Sequence, residues 1–184
     1  MNKESNNAIL FRELAKLSEG LKGLTILEPF YKFRIKTKKS IEEKFIESQL
    51  SKNTLHDIIG IQVCSILSKD IPVICEHIEQ NFNVINNSIY NESNQPKRRM
   101  EVFRSERYYF ARHYIVRVQE GVLLEIQVNT IFQRIVADYL HYKVFYKPLR
   151  KFSEEELRLI DSFTTRVKNI ENGIKELIEK LKIK

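Results

Sequence analysis

The chain has 184 residues and a net charge of +7, with 42% apolar and 30% charged residues. That length and balance suit one globular domain with a sizeable core, and no run approaches the roughly 18 apolar residues of a membrane span. Positive charge favours polyanionic partners such as nucleotides, RNA or acidic proteins. The two cysteines, Cys64 and Cys75, form no CxxC pair, which argues for a reducing compartment and against a cysteine metal site. MNKESNNAILFREL lacks the basic-then-apolar layout of a signal peptide, so the cytoplasm is the expected location.

Ile9, Leu10, Leu14, Leu17 and Leu21 recur at helical spacing and predict a helix over 7–22, ending near Gly20 or Gly23. Pro29 and the alternation after it predict a loop and a short strand in ILEPFYKFRIKT. Ser40 with Glu43 is a capping box, so a helix is expected to begin there. DIIGIQVCSIL, rich in β-branched residues, reads as a buried strand. Asp70 or Pro72 opens a helix through IPVICEHIEQNF, with Val73, Ile74, Ile78 and Phe82 apolar. Residues 85–107 are polar and read as a long loop, a length that is usually functional or disordered.

YYFARHYIVRVQEGVLLEIQVNT reads as a hairpin turning at Gly121. IFQRIVADYLHYKVFYK is a helix that Pro148 interrupts or follows. Ser153 caps a last long helix, over about 153–182, whose acidic start and lysine-rich end suit the helix dipole. Its apolar stripe runs through Leu157, Ile160, Thr164, Val167, Ile174, Leu177 and Leu181. The order of elements predicts an α+β or α/β fold, a sheet covered by helices, in a single domain.

Four segments could carry chemistry. In RIKTKKSIEEK, Arg34, Lys36, Lys38, Lys39, Ser40 and Lys44 gather where a strand ends and a helix begins, a place suited to phosphates; a solvated basic surface is the competing reading. Asp57 opens a buried strand and Glu125 lies inside another, and two carboxylates from neighbouring strands can hold Mg²⁺. Taken singly, they are a strand-edge Asp and a solvent-facing Glu. In LLEIQVNT, Glu125 and Gln127 share one face, either solvent or cleft. In RYYFARHY, Tyr109 and His113 share a face, and aromatics beside basic residues can stack on a base or pack in the core. His141 and the cysteines read as packing residues.

In order, these segments resemble the synthetase domain of the RelA/SpoT family in its small single-domain form. R-x-K-x-x-x-S-x-x-x-K is present as Arg34, Lys36, Ser40 and Lys44. D-I-x-G-x-R is present as Asp57, Ile58 and Gly60, with Gln62 in the last place. K-x-N-G-Y-x-S-x-H keeps Tyr109 and His113, with Ser105, Arg107 and Tyr108 at its Lys, Asn and Gly. E-[IV]-Q-[IV]-R-T keeps Glu125, Gln127 and Thr130, with Asn129 for Arg. H-x-x-x-x-x-K is His141 and Lys147. The motif-bearing core covers about residues 30–147.

The resemblance implies a nucleotidyltransferase-like mixed sheet flanked by helices, and a pyrophosphokinase that moves the β,γ-pyrophosphate of ATP onto the 3′-hydroxyl of GDP or GTP to make (p)ppGpp. By the same resemblance Arg34 lies against adenine, and Lys36, Ser40 and Lys44 hold the ATP phosphates. Asp57 and Glu125 bind Mg²⁺, and Glu125 with Gln127 activates the attacking hydroxyl. Tyr109 stacks on the acceptor base and His113 contacts the acceptor side. No hydrolase domain is expected. Two alternatives stay open: a toxin that pyrophosphorylates the 3′ end of tRNA and is silenced by an antitoxin, and an inactive nucleotide-binding module. A homo-oligomer fits the resemblance; a membrane partner does not.

Overall fold

The computed structural model describes residues 3–37, 39, 58–90, 111–118, 122–140 and 153–181. In chain order they form α1 (Lys3–Leu21), β1 (Phe30–Ile35), β2 (Ile59–Ser65), a short 3₁₀ turn (Ser68–Asp70), α2 (Ile71–Asn81), β3 (Val84–Tyr90), β4 (Ala111–Arg117), β5 (Leu123–Thr130), α3 (Ile131–Leu140) and α4 (Glu154–Lys180). The five strands make one mixed sheet in the order β1-β2-β5-β4-β3. The β2–β5 pair is parallel and the other three pairs are antiparallel. This is the expected mixed sheet flanked by helices.

Alternation along the strands divides the sheet into two chemically different faces. Ile59, Ile61 and Val63 of β2, Leu124, Ile126 and Val128 of β5, and Tyr114 and Val116 of β4 point to one side and are buried. There they join Ile9, Leu10, Leu17 and Leu21 of α1 and Ile71, Ile74 and Ile78 of α2 in the main core. The α1 spacing read from the sequence is therefore the core-facing stripe. On α2, Pro72 occupies the first turn, where its missing N–H costs nothing, and the Asp70 side chain makes no cap bond.

A smaller apolar cluster joins Phe132 and Val136 of α3 to Ile160 and Val167 of α4. The Ser153 capping box is present: the Glu156 amide donates to Ser153 Oγ at 3.2 Å, and the Ser153 amide donates to Glu156 Oε2 at 3.0 Å. The α4 stripe departs from expectation near its end. Ile160, Thr164 and Val167 are buried as predicted, but Ile178 is buried while Leu177 and Leu181 are 55% and 60% exposed. Stepping by seven from Ile160 drifts about 20° per step on a 3.6-residue helix, whereas Ile178 lies about five whole turns on and returns to the same face. The Leu157 side chain lies outside the described residues.

The second departure is β3. The polar composition of 85–107 predicts a loop, yet Val84–Tyr90 is a strand on the sheet edge, paired with β4 alone and shifted in register between Val84 and Asn86. Asn86, Asn87 and Ser88 erase the apolar alternation. The strand is held by the main-chain ladder, which does not depend on side-chain type. The rest of that segment lies outside the described residues, as does the helix expected from Ser40. Among the described residues, no helix is long and apolar enough to cross a membrane.

Candidate functional site

The face of the sheet opposite the main core is polar along its centre. Register brings two rows of side chains together there. Arg34 of β1, Gly60 of β2 and Glu125 of β5 are successive cross-strand partners. One step along, Lys32, Gln62, Gln127 and His113 line up across β1, β2, β5 and β4. Gly60 leaves room beside the Arg34 stem, whose Cγ lies 3.5 Å from where a Cβ would stand. The Arg34 guanidinium continues to Glu125, Nη2 to Oε2 at 3.7 Å.

Glu125 is the centre of the arrangement. His113 Nδ1 lies 2.9 Å from its Oε1, and the Gln127 amide donates to its Oε2 at 3.0 Å. Its side chain is 12% exposed. Burial pushes the carboxyl pKa up, but the His113 hydrogen bond and charge, then Gln127 and Arg34, outweigh burial and hold it below the ordinary carboxylate value. The alternation in LLEIQVNT thus resolves toward a cleft. Arg34, Glu125, Gln127 and His113, four of the residues singled out in the sequence, come together on this face. Lys36 follows β1 directly, its amide donating to the Ile58 carbonyl at 2.9 Å. Ser40, Lys44, Asp57, Tyr109, His141 and Lys147 lie outside the described residues.

The cleft is open, about 340 Å³ with the solvent at its mouth included, and its lining includes Lys32, Arg34, Gly60, Gln62, Glu125, Gln127 and Arg134. Lys32 and Arg134 were not singled out from the sequence. Lys32 carries a readable signal, because it stands two residues before Arg34 and so shares its face. Arg134 carries none, since α3 meets the cleft only through packing against β2 and β5. Arg134 forks onto Asp138, with Nε donating to Oδ2 at 2.8 Å and Nη2 to Oδ1. Lys32 reaches the same carboxylate at 3.5 Å.

Gln62 and Asn129, the two places where the resembled motifs carry arginine, are partners here. The Gln62 amide donates to Asn129 Oδ1 at 3.4 Å, and the Cys64 thiol to the same oxygen at 3.3 Å. All three are buried. Burial pushes the Cys64 thiol up to about 11, so it is a neutral packing group, and Cys75 is buried with its thiol raised for the same reason. Tyr114, one of the aromatics of RYYFARHY, faces the main core and donates to Glu79 Oε1 at 2.7 Å. It is a core residue and takes no part in the cleft.

Solved structures share this fold. They include the small alarmone synthetase 2 from Bacillus subtilis, 20% identical over 97% of this chain and 94% of that chain, with a TM-score of 0.69. The small alarmone synthetase 1 from Bacillus subtilis, bound to its product pppGpp, is 20% identical over 97% and 98%, with a TM-score of 0.65. The Type VI effector Tas1, in complex with its immunity protein, is 12% identical over 89% and 93%, with a TM-score of 0.53. None of the curated proteins compared matches the chain. A family model described as the region found in RelA / SpoT proteins matches residues 33–151, a span that holds Arg34, His113, Glu125 and Gln127. The chain belongs to the RelA/SpoT family.

Proposed function

We propose that the protein is a pyrophosphokinase that transfers the β,γ-pyrophosphate of ATP to the 3′-hydroxyl of GDP or GTP, with residues 1–184 forming one synthetase domain. The observation that carries this reading is an ionised, nearly buried Glu125 at the floor of a cationic cleft, in a chain of this family. The acceptor 3′-oxygen forms a bond to the β-phosphorus as the bond from that phosphorus to the α,β-bridging oxygen breaks, and AMP leaves with that oxygen. The hydroxyl proton passes to Glu125. A carboxylate held at low pKa is a weak base, so its larger contribution is to orient the hydroxyl. Transfer through a loose transition state asks mainly for positioning and charge stabilisation.

Gln127 and His113 keep the Glu125 carboxylate in one rotamer, and Arg34 balances its charge. Arg34, Lys36, Ser40 and Lys44 bind ATP, and Tyr109 and His113 bind the acceptor. Glu125 also suits a magnesium ion. A carboxylate offers about four lone-pair sites, of which the His113 and Gln127 hydrogen bonds take two, and a hard cation completes its shell with nucleotide phosphate oxygens. Asp57 would be the second protein ligand. When bound, the ion neutralises charge on the transferred group.

A second reading, in which the acceptor is the 3′ end of tRNA, draws on the +7 charge. Mass spectrometry of products from ATP and Mg²⁺ with GDP, GTP, AMP and tRNA in parallel decides between them. A 3′-pyrophosphorylated guanine nucleotide supports the main reading. Product on tRNA alone supports the second. ATP binding with no product on any acceptor leaves a nucleotide-binding module.

A further inference from the structure

Beside Glu125 the cleft floor carries two neutral amides, and its borders are cationic. Gln62 and Gln127 present amides side by side across β2 and β5, while Arg34 enters from the edge strand and Arg134 from α3. Gln62 bears no charge, is 6% exposed, and commits its amide to Asn129. Cations reach this floor from two sides, Lys32 and Arg34 from the edge strand and Arg134 from the helix. Arg134 is tied down beside the open cleft. Its side chain is only 24% exposed, and Asp138 engages two of its nitrogens. A fork on one edge of a guanidinium leaves its flat faces available, and such faces stack on aromatic heterocycles.

We propose that Arg134 forms one wall of a nucleobase slot, opposite Arg34, and that Asp138 is the positioning residue that sets its plane. The ligand is the planar base of the nucleotide donor; beneath it the Gln62 and Gln127 amides, beyond the bonds they give Asn129 and Glu125, each keep a second N–H and an acceptor oxygen for the hydrogen-bonding edge of a purine. Asp138 also takes Lys32, so a single carboxylate offsets the repulsion between two neighbouring cations. This inference rests on the nucleotide-transfer reading above.

Binding of ATP and of inorganic tripolyphosphate to the wild type, R134K, R134Q and D138N separates a base wall from a phosphate contact. R134K keeps the charge and loses the plane. It should weaken ATP about tenfold through loss of the planar guanidinium stack, which an ammonium cannot replace, and leave tripolyphosphate unchanged. D138N should weaken ATP by a smaller factor at unchanged Tm. Wild-type ATP affinity in R134K overturns the proposal while leaving the nucleotide-transfer reading standing. Equal losses for ATP and tripolyphosphate in R134Q also overturn it, and reassign Arg134 to phosphate. A wild type that binds no nucleotide overturns the reading beneath it as well.

Discussion

His113 and Glu125, on adjacent antiparallel strands, meet diagonally across the ladder: His113 pairs in register with Gln127, yet its Nδ1 lies 2.9 Å from Glu125 Oε1. The contact leaves the carboxylate ionised in a place where burial alone would favour the neutral acid. A cleft carboxylate whose charge is held by its own neighbours is ready for a cation or a hydroxyl without a change of protonation.

Glu125→Gln removes that charge and keeps the shape. Transfer should fall by at least about 100-fold, the scale seen when a single charged transition-state contact is lost, while the fold persists. Product formation and circular dichroism check this together. Wild-type activity in the variant removes Glu125 from the mechanism.

His113→Gln withdraws the strongest influence that lowers the Glu125 pKa, while burial still pushes it up. The acid limb of the pH–rate profile should therefore move to higher pH. The sign for stability follows from the same direction. Glu125 has a depressed folded pKa, so its contribution is present above the unfolded carboxylate value of 4.5 and is lost as pH falls through the folded value. Chemical denaturation between pH 3 and 6 should show that loss in the wild type and a smaller one in the variant. An acid limb that stays in place would separate His113 from the carboxylate.

His77 tests the α1–α2 contact. Its ring packs so closely on Gly20 that an added Cβ would fall 2.2 Å from Cε1. Burial, then Lys16, lower its pKa below 6.5. A histidine with a depressed folded pKa stabilises fully above its unfolded value and less as pH falls through the folded one, so Tm should decline below about pH 6.5 and the slope should flatten in His77→Phe. Gly20→Ala should destabilise by about 1–3 kcal/mol through overpacking. A neutral Gly20→Ala would show that the ring simply swings aside.

Gln62 and Asn129 form a buried amide pair, so their removal should not be additive. Asn129→Leu strands a buried amide and should cost about 1–3 kcal/mol, whereas the double replacement with Gln62→Leu should cost less than the sum of the two. Urea melts of the four proteins in the cycle give the coupling. Strict additivity would mean that the 3.4 Å contact contributes nothing.

Much of this fold is legible in the sequence wherever local periodicity carries the signal. The antiparallel β4–β5 pair, the apolar stripe of α1, the Ser153 capping box and the shared face of Glu125 and Gln127 all rest on spacings of two to four residues, and each is present in the fold, while the turn expected at Gly121 lies outside the described residues. Periodicity does not reveal β3, where asparagines and a serine hide a strand held by backbone bonds, or the end of α4, where a seven-residue count loses phase with the helix.

By itself, the sequence determined which residues stand together on one strand or one helix face, because backbone geometry repeats over a few residues. It left open whether the polar face of LLEIQVNT meets water or a cleft. Tertiary structure decided that. The apolar stripes of α1 and α2 cover the other face, and the β1–β2–β5 pairing carries Arg34 over Gly60 to Glu125. Only packing could place Arg134 and Asp138 at that cleft, and only it could make Gln62 and Asn129 partners. These groups meet across strands and helices far apart in the chain, and no local period encodes such a meeting.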